Sequence, residues 1–213
     1  MSKIYYPEQA KYISSFRKPQ DELITEMEEF ARINHIPILS WHSAEFIEQL
    51  ILMKNPNRVL EIGTAIAYTS IRIARNLKSG AIIESVELSK QNIKSAKGFI
   101  KRSGVKGKIN LIEGNALNVL PALKKKYDLI FLDSNKEDYI KLFGYAMPLL
   151  KKGGVMVVDN LLWQGFAAAG KVPSKDKSTT NHIREFNKLF TNQKELNTTI
   201  LPISDGIGLG IKK

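Results

Sequence analysis

The amino-acid sequence predicts an α/β protein with a mostly parallel sheet. Between residues 58 and 159, short apolar runs alternate with segments of helical periodicity, which indicates parallel strands joined by right-handed crossovers. Several of these runs end in acidic residues, at the edge where open α/β sheets bind ligands. The last two apolar runs are separated only by Ser204-Asp205-Gly206. That spacing favours an antiparallel hairpin and therefore a mixed sheet.

The predicted elements form one domain, residues 1–213. Residues 1–55 read as helices: acids open a helix at 21–33, Pro37 interrupts the chain, and Ser43 can cap a helix that runs to Lys54. Residues 56–213 carry the sheet. Its predicted strands are 58–61, 81–87, 108–113, 127–133, 154–159, 198–203 and 207–211, and the predicted helices are 70–77, 89–103, 117–124, 136–150 and 181–190.

The composition limits the possible classes of protein. The chain has 213 residues, enough for one α/β domain, and it contains no cysteine, which excludes disulfides, thiolate metal sites and a cysteine nucleophile. It has no run of about 18 apolar residues, so we expect no membrane span. The first residues contain no apolar signal core. We therefore expect a cytoplasmic enzyme.

The net charge of +11 is the strongest compositional bias. An excess of this size is typical of proteins with a polyanionic partner. Lysines recur at helical spacing along one predicted helix face, at Lys90, Lys94, Lys97 and Lys101. The stripe is consistent with nucleic-acid contact, but it is equally a pattern of a solvated helix surface.

The first strand ends in a turn that suits a nucleotide-like ligand. The stretch from Val59 to Thr69 reads Val-Leu-Glu-Ile-Gly-Thr-Ala-Ile-Ala-Tyr-Thr, a strand, a small-residue turn and a helix start. Gly63 allows close approach of a ligand, and Glu61 places a carboxylate near it. The Gly-x-Gly-x-x-Gly pattern of pyrophosphate binding is missing, which favours a ligand without phosphates such as S-adenosylmethionine. The alternative is a buried strand and turn that bind nothing.

Further polar residues close the later strands. Glu87 suits a ribose diol, because a carboxylate accepts hydrogen bonds from both hydroxyls. Asp133, Asp159 and Asn160 offer the oxygen ligands that Mg²⁺ prefers. Lys136, three residues after Asp133, could lose its proton near a cation and act as a base. Taken singly, these acids could be turn formers and Lys136 an ordinary surface lysine.

Together these motifs resemble the metal-dependent O-methyltransferases of the catechol and caffeoyl-CoA type. The resemblance spans nearly the whole chain. It implies a Rossmann-like class I methyltransferase fold, with a seven-stranded mixed sheet, helices on both faces and an N-terminal helical segment. It also implies S-adenosylmethionine as cofactor and a homodimer. The matching stretches are Val59 to Thr69, Ser85-Val-Glu87, Leu132-Asp-Ser-Asn-Lys136 and Val158-Asp-Asn-Leu-Leu-Trp163.

The resemblance also implies roles for individual residues. Asp133, Asp159 and Asn160 would bind Mg²⁺, and Lys136 would be the catalytic base. Asp133 would belong to the catalytic, metal-binding and cofactor-binding sets alike. The other cofactor contacts would be Glu87 at the ribose, Asn115 and Ala116 at the adenine, Gly63 and Thr69 at the methionine part, and Leu39 as a cover. Trp163 is expected to border the acceptor, although it could equally be a packing residue.

Two residues depart from the family pattern. Ala67 stands where many members have glycine, which tightens the turn. Asn115 stands where bacterial relatives often have aspartate, so a neutral amide would have to replace a carboxylate there.

Within the family, the pattern is most similar to the bacterial tRNA 5-hydroxyuridine methyltransferases. The similar stretches are Lys18-Pro19, His35-Ile-Pro-Ile, Asp159-Asn-Leu-Leu and the ending from Pro202 to Lys213. This similarity implies a tRNA anticodon loop as partner, with the wobble base as acceptor. One alternative is an O-methyltransferase of small catechol-like compounds. A second is a non-catalytic cofactor-binding module, which the retention of Asp133, Asp159, Asn160 and Lys136 together argues against.

Overall fold

The computed structural model describes residues 6–213. Part of the N-terminal stretch used above to predict a cytoplasmic location, residues 1–5, lies outside the described residues. The described chain begins with three helices, α1 (Pro7–Ser14), α2 (Glu22–Ile33) and α3 (Trp41–Lys54). None of the helices in this part of the chain is long and apolar enough to cross a membrane.

Capping residues define where the second and third helices begin. The Asp21 side chain accepts hydrogen bonds from the backbone N–H groups of Leu23 and Ile24 and so caps α2. The predicted cap of α3 was wrong. Ser40 caps this helix by accepting from the Ser43 N–H at 3.2 Å, so Ser43 lies in the first turn. The two serines are three residues apart, and only the path of the chain after Pro37 decides which one is the cap.

Seven strands form one mixed sheet, which confirms the predicted fold class. The first five are parallel to one another, and the last strand but one pairs antiparallel only with the final strand. The final strand is also antiparallel to the fifth. The strands are β1 (Arg58–Ile62), β2 (Ile82–Glu87), β3 (Ile109–Glu113), β4 (Tyr127–Leu132), β5 (Leu150–Val158), β6 (Leu196–Leu201) and β7 (Ile207–Lys212), in the order β3-β2-β1-β4-β5-β7-β6.

Helices cover both faces of the sheet. The remaining ones are α4 (Tyr68–Asn76), α5 (Lys90–Arg102), α6 (Ala116–Ala122), α7 (Tyr139–Leu149) and α8 (Lys177–Thr191). Side chains of α2 to α5 pack into one buried apolar cluster against the sheet, and those of α6 to α8 pack into a second cluster on the other face. The alternation of strand side chains between the two clusters accounts for the nearly continuous apolar strands.

Some boundaries differ from the predicted ones. Helix α8 begins four residues before the predicted start at 181, because the polar segment before it continues the helix. Strand β5 begins at Leu150, four residues before the predicted start at 154, since Leu150 pairs with Tyr127 of β4. The predicted helix from 136 begins as a short 3-10 turn, Lys136–Asp138, and becomes α7 at Tyr139. Strand β6 lies two residues earlier than predicted.

The parallel strands bring their carboxyl ends to one edge. Backbone bonds continue the pairing just beyond the strands: the Asp133 N–H donates to Ile62 at 2.9 Å and the Asp159 N–H donates to Leu132 at 3.1 Å. The Gly63 N–H donates to Val86 at 3.1 Å. The residues that follow β1, β4 and β5 are therefore fixed relative to one another by the sheet.

Candidate active site

A cavity of about 940 Å³ opens at this edge of the sheet. Its volume is at the upper end of the range of small-molecule sites, about 300–1,000 Å³. The predicted site residues that line it are Gly63, Glu87, Asn115, Ala116, Asp133, Lys136, Asp159, Asn160 and Trp163. The sheet therefore brings together most of the residues that the sequence singled out, both those predicted to contact the cofactor and those predicted to bind a cation.

Gly63 is required by the close contact between the ends of β1 and β4. Its φ is +100°, and a Cβ built on it would lie 1.8 Å from the backbone oxygen of Asp133. No larger residue fits that space without moving the strand end that carries Asp133. The same turn contains Ala67 in the left-handed region, with φ +69°.

Glu87 is held by backbone donors. One carboxylate oxygen accepts from the Ala65 N–H at 2.8 Å, and the other accepts from the N–H groups of Leu88 at 3.0 Å and Ser89 at 2.8 Å. These bonds fix the carboxylate at the cavity wall, and its remaining lone pairs can accept from a ligand. Asn115 uses its Oδ1 to cap α6 through the Leu117 N–H at 2.9 Å, as an aspartate would, and its amide N–H₂ group is the donor that an aspartate lacks.

Three predicted cofactor contacts do not line the cavity. Leu39 is 4% exposed and belongs to the apolar core. Its neighbours Pro37 and Ile38 border the cavity instead. Thr69 is buried in the first turn of α4.

Glu61 is the third, and it is buried behind the residues that line the cavity. It is completely buried, and one of its oxygens accepts hydrogen bonds from the hydroxyls of Ser70 and Ser85. The other oxygen, Oε1, is buried without a hydrogen-bond partner. Burial raises the pKa of Glu61 to about 8, although the two serine hydroxyls oppose the shift.

The acidic residues at the ends of β4 and β5 have different surroundings. The Lys136 Nζ donates to the Asp133 carboxylate at 2.9 Å and to the Ser134 carbonyl at 3.0 Å. Burial works to lower the pKa of Lys136, but its attraction to Tyr139 and Asp133 outweighs burial and raises that pKa. Lys136 and Asp133 therefore form an ion pair in this structure.

Asp159 lacks such a partner. Its side chain is 5% exposed, and its Oδ1 is buried without a hydrogen bond. Burial, followed by repulsion from Asp133, raises the pKa of Asp159 above its usual range. An unpaired buried carboxylate is costly unless a positive charge reaches it, so the donor set fits a hard cation. Within residues 6–213, however, no group of three or more His, Cys, Asp or Glu side chains forms a metal site.

Asp205 also lines the cavity, although the sequence marked it only as part of a hairpin turn. Its carboxylate accepts from the Asn160 Nδ2 at 3.1 Å and from the Gln164 N–H. The segment that it contacts contains three non-glycine residues with positive φ, Asn160, Trp163 and Gln164. Backbone strain of this kind is concentrated at functional sites. An Asp-Gly pair in a loop gave no signal of this role, since it is also ordinary turn chemistry.

The segment after Trp163 is anchored by α8. Arg184 donates to the backbone carbonyls of Phe166, Ala167 and Ala169 at 3.1, 3.0 and 2.5 Å. Trp163 itself is half-buried and borders the cavity, with its Nε1 buried and unpaired. Three exposed lysines follow in this segment and at the start of α8, Lys171, Lys175 and Lys177.

The lysine stripe on α5 is partly neutralised. Lys97 forms an ion pair with Glu113 of β3 at 2.5 Å. Arg102 at the end of the same helix pairs with Glu26 of α2. Residues 90–108 contain no Asp or Glu, but the fold brings Glu113 and Glu26 to this helix. The positive charge of this face is therefore smaller than the sequence of the helix alone indicates.

The sheet order, the cavity beyond the carboxyl ends of the strands and the acidic strand ends define a methyltransferase-like α/β protein. Comparison with known proteins gives the family: residues 13–213 match the model of the O-methyltransferase family. The chain belongs to this family.

Individual relatives agree with this assignment. A crystal structure of a Staphylococcus aureus protein assigned to the caffeoyl-CoA O-methyltransferases superposes with a TM-score of 0.90 at 31% identity, covering 97% of this chain and 100% of that one. The O-methyltransferase TomG of Streptomyces achromogenes, solved in complex with SAM, has a TM-score of 0.86 at 25% identity and covers 100% and 99%. Caffeoyl-CoA O-methyltransferase of Medicago sativa is 29% identical over 186 residues, 81% of this chain and 74% of that protein.

Proposed function

We propose that this protein transfers a methyl group from S-adenosylmethionine to a hydroxyl oxygen of an acceptor held with Mg²⁺. Family membership supports O-methyl transfer, and the relative from Streptomyces achromogenes that was crystallised with SAM supports the cofactor. In this chain, Glu87 would accept from the ribose hydroxyls and Asn115 with Ala116 would border the adenine. Pro37 and Ile38 would cover the cofactor in place of Leu39.

The observation that carries the proposal is the buried, unpartnered Oδ1 of Asp159 beside Asp133 in one cavity. Asp133, Asp159 and Asn160 would hold the cation. When bound, Mg²⁺ would lower the pKa of the acceptor hydroxyl and weaken the hold of Asp133 on the Lys136 proton. Lys136 would then accept the hydroxyl proton, and the cavity would keep the acceptor oxygen and the methyl group close enough to react.

The acceptor that we favour is 5-hydroxyuridine at the wobble position of tRNA. This base carries oxygens on adjacent ring carbons, as a catechol does, and an anticodon loop can present it unstacked. The net charge of +11 and the exposed lysines in the segment after Trp163 would serve the phosphates. A small catechol-like acceptor is the second candidate, favoured by the similarity to caffeoyl-CoA O-methyltransferase.

The experiment is methyl transfer from labelled S-adenosylmethionine to bulk tRNA from a strain that lacks this gene, followed by digestion to nucleosides. We expect label in 5-methoxyuridine, loss of activity with EDTA, recovery with Mg²⁺, and a rate that falls steeply with salt. Efficient methylation of a small diol with no label in tRNA would favour the second candidate. Activity that EDTA leaves unchanged would contradict the metal, and no transfer to either acceptor would favour the non-catalytic binding module.

We also propose a homodimer, built on the N-terminal helices. Large apolar side chains are exposed there, among them Tyr12 and Phe16 near α1 and Leu52 and Met53 on α3. Contact with a second subunit would remove them from water. Light scattering at micromolar concentration tests this proposal, and a monomer would contradict it.

A further inference from the structure

Asp205 contacts the turn that carries Asn160 through both of its carboxylate oxygens. Oδ2 accepts from the Asn160 side-chain Nδ2 at 3.1 Å, and Oδ1 accepts from the backbone N–H of Gln164. Asp205 lies between β6 and β7, about 45 residues later in the chain than Asn160. The contact therefore joins the antiparallel end of the sheet to the end of β5.

The backbone already holds these two segments together. The Leu161 N–H donates to the Gly206 carbonyl at 2.9 Å, and the Leu162 N–H donates to the Asp205 carbonyl at 2.8 Å. Gly206 has φ +87°, and a Cβ on it would lie 2.4 Å from the Leu162 Cγ. Since main-chain bonds and close packing fix the loop against the turn, the bond to the Asn160 side chain is not needed to hold the loop in place.

That bond has a specific chemical consequence. An ionised carboxylate only accepts hydrogen bonds, whereas an asparagine amide carries one acceptor oxygen and one donor nitrogen that exchange places when the amide flips. A carboxylate partner therefore requires the Nδ2 of Asn160 to face Asp205. The amide oxygen then lies on the opposite side of the group. A neutral partner such as asparagine would accept either orientation.

We propose that Asp205 is a positioning residue that holds the amide oxygen of Asn160 available to a divalent cation, in the cavity shared with Asp133 and Asp159. This inference rests on the proposed function, because it concerns the same cation site. Its independent support is that the adjacent residue Asp159, which lines the same cavity, keeps a buried oxygen without a hydrogen-bond partner. Outer contacts that orient a metal ligand are worth about 10–100-fold in metal affinity.

The experiment measures Mn²⁺ binding by the free-ion EPR signal in the full-length protein, together with calorimetric binding of S-adenosylhomocysteine. Asp205→Asn keeps the size of the side chain but permits the flipped amide. We expect at least about tenfold weaker Mn²⁺ binding and S-adenosylhomocysteine affinity within about twofold of wild type. Asp176→Asn, the same substitution before α8 and outside the cavity lining, should leave both affinities unchanged.

Repeating Asp205→Asn in an Asn160→Ala variant distinguishes a role of Asp205 in orienting Asn160 from a direct effect of its charge. There is no amide left to orient, so Asp205→Asn should weaken Mn²⁺ binding no further in that background. If the substitution costs as much there as in wild type, Asp205 acts through its charge and the proposal is overturned. Unchanged Mn²⁺ binding in Asp205→Asn alone overturns the proposal while leaving the metal site intact. A wild-type protein that binds no Mn²⁺ overturns both the proposal and the cation part of the proposed function.

Discussion

The two sides of the cavity differ in how completely their carboxylates are satisfied. On the cofactor side, Glu87 accepts from three backbone N–H groups of its own loop and its neighbour. On the cation side, Asp159 has a buried oxygen with no partner, and Asp133 is paired only with Lys136 among the ion pairs of residues 6–213. In the cavity wall, Glu87 is therefore satisfied as folded, whereas Asp159 keeps a buried oxygen without a partner next to a second carboxylate, Asp133. This difference is what a site that binds a positive ion needs.

The largest expected effect comes from adding a side chain at Gly63, where the ends of β1 and β4 are in close contact. Gly63→Ala would place a Cβ 1.8 Å from the Asp133 carbonyl and force a φ of +100° on alanine. We expect a loss of at least about 3 kcal/mol in the free energy of unfolding, measured by urea titration, with loss of ligand binding on both sides.

Gly80→Ala is the matched control for this prediction. Gly80 also has positive φ, +75°, but a Cβ there would meet nothing within 4 Å. It should cost only the conformational strain, about 1 kcal/mol. Equal losses in the two variants would mean that the contact with Asp133 is unimportant.

Isosteric amide substitutions should separate the two sides. Asp159→Asn should weaken Mn²⁺ binding by more than about 100-fold, above the effect of an outer contact, while cofactor affinity stays close to wild type. Glu87→Gln places an N–H₂ group against backbone donors and should weaken cofactor binding by about tenfold, while Mn²⁺ binding stays intact. Calorimetry with each ligand measures both. If both variants lose the same ligand, the division of the cavity is wrong.

Glu61 tests whether burial alone makes a carboxylate costly next to this cavity. Its pKa is raised to about 8 by burial, so between its unfolded value and pH 8 the folded chain binds more protons than the unfolded one, and stability falls as pH rises. Glu61→Gln does not titrate. We expect the unfolding free energy of Glu61→Gln to rise relative to that of wild type between pH 5 and 8, by about 3 kcal/mol.

Glu84, on the neighbouring strand β2, should give the opposite dependence of stability on pH. Burial works to raise its pKa, but bonds from Tyr127, Arg58 and Lys125 outweigh burial and lower it. Its contribution to stability is therefore present at neutral pH and lost on acidification, so Glu84→Gln should destabilise the protein at pH 7.

A pH-independent difference in unfolding free energy between Glu61→Gln and wild type would contradict the prediction for Glu61, because it would show that Glu61 is ionised in the fold at no cost.

The sequence was sufficient for the side of the site that depends on strand ends, because parallel strands bring their carboxyl ends together whatever lies between them. It was insufficient for deciding which side chains near the strand ends face the cavity and which are buried elsewhere. Glu61 lies one residue before the end of β1, and its side chain contacts Ser70 of α4 and Ser85 of β2 instead of lining the cavity. Leu39 turns into the core while Ile38 faces the cavity. Asp205 could not be recognised, since its partner is far away in the chain and an Asp-Gly loop is common.

The smallest expected effect concerns the segment that follows Trp163 on the cation side. Arg184 holds it through three backbone carbonyls, and Lys171 and Lys175 lie just beyond as exposed trypsin sites. Arg184→Gln removes the positive charge of this side chain and most of its N–H donors. The free energy needed to open the segment should therefore fall by about 1 kcal/mol. Because cleavage follows the population of the open form, we expect trypsin to cut after Lys171 about fivefold faster. Cleavage after Lys94 on α5 should stay unchanged, as should cofactor affinity. Faster cleavage at both lysines would mean that the substitution loosens the whole fold rather than the segment after Trp163.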